Sequence, residues 1–431
     1  MNIYEVKDLG TLNGDRPDAR AINNAGVVVG RIGNHAMRYD GSLKILPTPL
    51  VASPAGQPAT EKYVAWGINN SNPELIVGYR EVNNYRYATM WVDGAYVDLH
   101  ASLDANFSEA YDVNDNGVVV GRADFQAFRF DTNAGPEQPK FVQLLTADNV
   151  SSCAKAVNAQ GHVVGWLDTY QNGFPISVAF IYDNGLSVLP DTYGESLRVL
   201  HDDLLDINDG NIVVGRIVPS DGAFQYDHNT KATTNITPEI PYPNQIHAAA
   251  QANNKYNRVV GKKWGGGEGL EYVGVVWNPG EPMQNLFDWI YPIPYGLSIT
   301  DAVAINTKNE IVVHGQYGGE SPGSFLLEPI YEPRPYKNPY EHLEWLVQVV
   351  LFGGAGSGVL APSGHRIFPK GPPVDPSGPF RRLDPAQRDV LVGLALQVLA
   401  RNISDSEARR IAEAGGLQAI RRAVDRLSPG V

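Results

Sequence analysis

One cysteine, Cys153, stands among 431 residues, so no internal disulfide can staple the chain, and a reducing compartment or indifference to redox is expected. No apolar run nears the roughly 18 residues of a transmembrane helix, so no membrane association is expected. Met1 leads directly into strand-like sequence, without the basic start and apolar stretch of a signal peptide. The expected compartment is the cytoplasm, or outside the cell if a leader has been trimmed. Catalytic signatures such as G-x-S-x-G and H-E-x-x-H are missing. The glycine cluster at 353–359 has no Lys after it and no strand before it, which makes it a turn rather than a phosphate loop. His201 has no second His at ligand spacing, so it reads as part of a polar loop. Two stretches, D-V-N-D-N-G at 112–117 and D-I-N-D-G-N at 206–211, open like calcium loops. Each has Ala123 or Ile217 where the twelfth-position carboxylate belongs. No catalytic residue, metal or cofactor is assigned. The net charge of −13, with the acidic excess in the first 339 residues, argues against nucleic acid as a partner.

What the chain does have is a repeat. Asn recurs at 23, 69, 114, 158, 208, 253 and 306, at intervals of 44–53 residues. Each is followed by an apolar triplet closed by Gly, at 30, 78, 121, 165, 215, 261 and 315. Four residues before each Asn stands Ala19, Ala65, Ala110, Ala154, Leu204, Ala249 or Ala302. A period of this length signals blades or a solenoid. Within each unit the apolar bursts are too short for helices and are bounded by Asn, Asp and Gly, as in N-N-A-G and N-D-N-G. They give four strands: an alanine-bearing first, a V-V-V-G second, an aromatic third such as A-M-R-Y-D at 36–40, and a ragged leucine fourth such as 42–46. Seven such units predict an all-β, seven-bladed propeller over 1–330. The alanines are expected to face the crowded axis. The seventh unit runs into Pro329, Pro333 and Pro335 with no fourth strand, whereas I-Y-E-V-K-D-L-G-T-L at 3–12 precedes the first unit. The N-terminal strand is therefore predicted to complete the last blade and remove its open edge.

D-L-G-T-L at 8–12, A-x-A-I-N-N-A-G-V-V-V-G at 19–30 and H-A-M-R-Y-D at 35–40 resemble the HAF repeat family. That resemblance covers about residues 1–330 and implies a propeller-like repeat with no established activity. The His of the family name is kept only at His35.

Residues 331–339 form a proline-rich linker, and 340–431 a small, mainly helical module. Its apolar helical stretches fall at 340–352 and 384–401, the latter with Asp384 as cap and Pro385 in the first turn. Two shorter helices follow, 404–414 and 417–427, and a hairpin is predicted around residues 359–368. The module's small core and basic helices suggest association with its own propeller or with a second copy.

In the propeller, connections after the second strand at 79–87, 166–177 and 262–273 read as long loops, and several blade-to-blade connections are long as well. Both sets leave the same face, so one face is decorated, which is where binding is expected. The residue after each repeat Gly is Arg31, Tyr79, Arg122, Trp166, Arg216, Lys262 or Gln316. The four cations would ring the channel mouth or, alternatively, pair with neighbouring acids. With His35 and Trp264, the first six of these form the candidate binding face. The leading reading is a non-enzymatic scaffold for a protein, small-molecule or glycan partner. Its rivals are a lyase or hydrolase at the channel mouth, and a glycan-binding module stacking sugars on Tyr85, Tyr87, Trp166 and Trp264.

Overall fold

The structure, a computed structural model, describes residues 3–330 except 50–60, 104, 136–139, 146–150, 192–194, 202–204, 219–220, 238–244, 266–271, 291–293, 295 and 319. It also describes two strands further on, Gly356–Leu360 and Arg366–Pro369, which pair antiparallel as a hairpin. The chain divides into two units, Met1–Pro329 and Ile330–Val431. The helices predicted after residue 339 lie outside the described residues. Among the described residues no helix is long and apolar enough to cross a membrane.

The first unit is a seven-bladed β-propeller of four-stranded blades. Blade 1 runs inner to outer through Pro17–Ile22, Val28–Ile32, His35–Tyr39 and Leu43–Ile45. Blades 2 to 6 begin with the inner strands Glu61–Ile68, Ser108–Val113, Ser152–Val157, Asp206–Ile207 and Ile246–Asn253. Blade 7 uses Leu297–Ile305, Ile311–Tyr317 and Gly323–Ile330, and its outer strand is the chain's first, Ile3–Asp8. Closure by the N-terminal strand is thus present, and Lys7 Nζ reaches Glu328 Oε1 across it at 2.7 Å.

A bulge in the inner strand organises most blades. The register skips one residue between Ala19 and Ala21, Ala65 and Gly67, Ala110 and Asp112, Ala154 and Ala156, and Ala250 and Ala252. This presses the inner backbone against the second strand, and the repeat Gly is what lets it fit. A Cβ on Gly78, Gly121 or Gly165 would stand 1.9 Å from the carbonyl oxygen of Val64, Glu109 or Cys153.

Contrary to the sequence expectation, Ala19, Ala65, Ala110, Ala154 and Ala302 do not face the axis, whereas Ala249 does line the axial cavity. Ala110 is fully buried against Val77, Ala88 and Met90 of blade 2, and Ala154 against Val118, Val120 and Ala127 of blade 3. They are small because each packs in the seam with the preceding blade. The sixth repeat is also one residue later than the pattern suggested: Ala250 pairs with Gly261, and Asn254 occupies the turn position.

The repeat asparagines join the blades. Asn23 Nδ2 donates to Asn69 O at 3.1 Å, Asn114 to Asn158 at 2.8 Å, and Asn158 to Asn208 at 3.2 Å. Asn208 then donates to Asn254 at 2.8 Å, Asn254 to Asn306 at 3.1 Å, and Asn306 back to Asn23 at 2.9 Å. Blade 2 departs from the rule, since Asn69 Nδ2 turns to Ser71 Oγ and Pro73 O of its own turn. The face bearing these turns is therefore short-looped and laced together.

Candidate functional site

The inner strands enclose an axial cavity of about 480 Å³ lined by residues from all seven blades. A bulge re-aims the extra residue, and here that residue reaches the cavity: Arg20, Trp66, Tyr111, Lys155 and Gln251 in blades 1, 2, 3, 4 and 6. The Arg20 guanidinium lies 4.7 Å from the Trp66 ring centroid, Trp66 meets Tyr111 edge to face at 5.5 Å, and Lys155 Nζ sits 4.4 Å from the Tyr111 ring. None of these five residues stood out in the sequence. The position lies three before the repeat Asn, and it varies in type while its neighbours are held small.

Acids in the cavity are already engaged. Asp18 Oδ2 accepts from Arg20 at 2.6 Å and from Arg31 at 3.4 Å. Asp301 Oδ2 accepts from Gln251 Nε2 at 2.9 Å and Lys262 Nζ at 3.2 Å. Asp112 and Asp206 each hold two backbone amides, their own successor's and one of the next blade: Val113 and Val157 for Asp112, Ile207 and Asn253 for Asp206. Burial pushes their carboxyls up, to about 7 for Asp112, where the Asp206 charge adds to the effect, and to about 6 for Asp206. These oxygens do the work of joining blades 3 to 4 and 5 to 6, which is why the two stretches open like calcium loops without completing one.

The residues after the repeat Gly do not converge on one opening. Arg216 and Lys262 line the cavity, but Arg216 pairs with Asp221 at 2.6 Å and Lys262 with Asp301. Arg31 pairs with Asp18, and Arg122 with Glu109 at 3.0 Å. Glu109 is buried, which would raise its carboxyl; the Tyr111 hydroxyl, Arg122 and Arg86 outweigh that and hold it below its usual range. Tyr79 is only 7% exposed and lies under Arg86, at 4.6 Å. Trp166, 2% exposed, is stacked on His201 at 3.9 Å. Trp264 has the His247 ring stacked on it at 5.7 Å and the Arg216 guanidinium at 5.0 Å. His35 is exposed at the head of its strand.

Two of the connections read as loops are extensions of the strands. In blade 2, Leu75–Val82 pairs with Tyr85–Val92 throughout, closing on Asn83–Asn84; in blade 4, Val163–Gln171 pairs with Phe174–Tyr182, closing on Asn172–Gly173. Asn83, Asn84, Asn172 and Gly173 all take positive φ, the backbone these two-residue hairpin turns require. The tips are aromatic, with Tyr170 75% and Phe174 72% exposed. Beside the blade 4 hairpin lies a second cavity, of about 540 Å³, holding Asp168, Ser177, Arg198 and His201. Ser177 Oγ and Asp168 Oδ1 both contact His201 Nε2, at 2.7 and 2.6 Å. A nucleophile relay needs both ring nitrogens, one for the nucleophile and one for the orienting acid, so this is a hydrogen-bonded cluster.

A family model described as "Protein of unknown function (DUF3466)" matches residues 47–192, the stretch of blades 2 to 4. It corrects the resemblance to the HAF repeat family: the family model that matches is a different one, and the propeller itself rests on the structure. No curated protein matches the chain. Among solved structures, "YCF48 bound to D1 peptide" is 15% identical with a TM-score of 0.44, over 78% of this chain and 97% of that one. The extracellular domain of a putative one component system from B. thetaiotaomicron is 13% identical at 0.44, over 76% of this chain and 40% of that one. The β-propeller domain of the Trilobed protease from Pyrococcus furiosus is 11% identical at 0.40, over 75% and 99%. Likenesses this distant carry no argument about partner or activity.

Proposed function

We propose that the protein is a non-enzymatic binding scaffold that holds a protein partner on its hairpin-bearing face. The observation that supports this is where the exposed aromatics fall. Of six among the described residues, Tyr85, Phe125, Tyr170, Phe174 and Tyr272 all sit on connections between second and third strands, and Tyr256 alone lies on the face of the asparagine turns. Aromatic side chains on rigid supports supply contact area at low entropic cost, which is what a binding rim needs. A glycan reading loses support, because Trp166 is buried and Trp264 is stacked with His247 and Arg216.

Panning the full chain against a displayed library of random dodecapeptides tests the reading. The parent should enrich a peptide consensus, and the quadruple change Tyr85→Ser, Tyr170→Ser, Phe174→Ser, Tyr272→Ser should lose it with an unchanged Tm. No enrichment, or enrichment indifferent to the four changes, would overturn it. The segments 331–339 and 340–431 are proposed as linker and association module. Light scattering of the full chain at rising concentration should then show self-association, and a monomer throughout would refute that part.

A further inference from the structure

The bulge residues of blades 1 to 4 make one continuous wall along the axial cavity: Arg20, Trp66, Tyr111, Lys155. Each end of the wall is a cation set against an aromatic ring, at 4.7 Å for Arg20 and 4.4 Å for Lys155, and the two rings between them touch edge to face. Such a wall has no place for a cationic guest, since cations already lie against its rings. Its charge is under-compensated. Lys155 has no carboxylate within ion-pair distance among the described residues, and Arg20 shares Asp18 with Arg31. The other acids of the cavity are committed elsewhere, Asp301 to Lys262 and Gln251, Asp112 and Asp206 to backbone amides. Ala249, Ala250 and Ala252 of blade 6 leave room opposite.

We propose that the axial cavity binds a small organic polycarboxylate, one anionic group taken by Lys155 at one end of the wall and another by Arg20 at the other, with its body lying along Trp66 and Tyr111 between them. Both donors act in a confined space where charge-assisted hydrogen bonds are stronger than in open water. The cavity of about 480 Å³ is of the size that takes a small molecule and excludes a folded partner. This site is separate from the hairpin tips, so it stands or falls independently of the rim reading.

Thermal unfolding of the full chain with succinate and citrate tests it, with benzoate, benzyl alcohol and equal ionic strength of sodium chloride as controls. At about a hundredfold excess over Kd, at least one polycarboxylate should raise Tm by roughly 3–5 °C while the controls do not. Lys155→Met and Arg20→Met keep the alkyl stems over the rings and remove the charge, so each should abolish the rise. Lys155→Arg should retain it, and the four tip changes should leave it untouched. No rise with either polycarboxylate, an equal rise with benzoate or benzyl alcohol, or a rise that survives Lys155→Met would each overturn the proposal.

Discussion

Outside blade 2, the repeat asparagine satisfies three backbone groups with one short side chain. Asn114 Oδ1 accepts from the amides of Asn116 and Val118, at 3.0 and 2.9 Å, while its Nδ2 crosses to the carbonyl of Asn158. Aspartate would keep the acceptors, lose the donor and set a carboxylate against a carbonyl; alanine would leave all three groups unpaired. Asn114→Ala should therefore cost about 2–4 kcal/mol by urea unfolding, from hydrogen bonds worth about 1 kcal/mol each plus the penalty of burying unpaired groups. Asn114→Asp should cost a similar amount, and a loss under half a kcal/mol in either would show that the ladder does not stabilise the ring. The buried aspartates give a pH signature. Asp112 and Asp206 titrate near 7 and 6 in the fold, against about 4 when unfolded, so the native state holds extra protons between those values. Stability should fall as pH rises from about 4 to 7 and level off above. The salt-bridged Asp40, held down at about 2 by Lys44 and Arg38, acts in the opposite sense at the acid end, so the optimum should lie near pH 4–5. A urea midpoint unchanged from pH 5 to 8 would contradict this.

Within a blade, the bulge and the glycine opposite it form one device. The bulge shortens the paired register, pushes the inner carbonyl onto the second strand and turns one side chain toward the axis. Gly121→Ala places a methyl 1.9 Å from Glu109 O, and backbone cannot yield as a flexible side chain would. Overpacking of this kind should cost about 3 kcal/mol or more. Gly135→Ala, with nothing within 4 Å, should be close to neutral in the same denaturation series. Equal effects at both positions would mean that the repeat glycines are not there for space. The protruding hairpins of blades 2 and 4 follow a different logic: their tips add little burial, so they serve the surface rather than the core.

Across the whole molecule, stability depends on closing the ring. The first strand covers the edge of Gly323–Ile330, buries Tyr4 beside Leu286 and Trp289, and is supported nearby by Arg16, which bridges Asp8 and Glu320 at 2.9 and 2.8 Å. Deleting residues 1–10 should expose that edge, lower Tm markedly and give soluble aggregates on size exclusion. A truncated chain with the parent's Tm and elution volume would show that closure is dispensable.

Much of this architecture is legible in the sequence, because short-range chemistry recurs where the geometry recurs. The Asn turn, the repeat Gly and the aromatic third strand each answer a local backbone demand, so seven units, four strands apiece, and the displaced outer strand at residues 3–8 can be read from spacing alone. The N-G at residues 172–173 also announced a two-residue hairpin that the polar flanking strands concealed. The cavity wall is another matter. Arg20, Trp66, Tyr111 and Lys155 lie about 45 residues apart in a position that varies in type, and their contacts exist only once successive blades converge. The alanines beside them were ambiguous for the same reason, since a small residue suits both an axis and a seam. Residue type records the space available at a position; only the closed ring decides which neighbour supplies the walls.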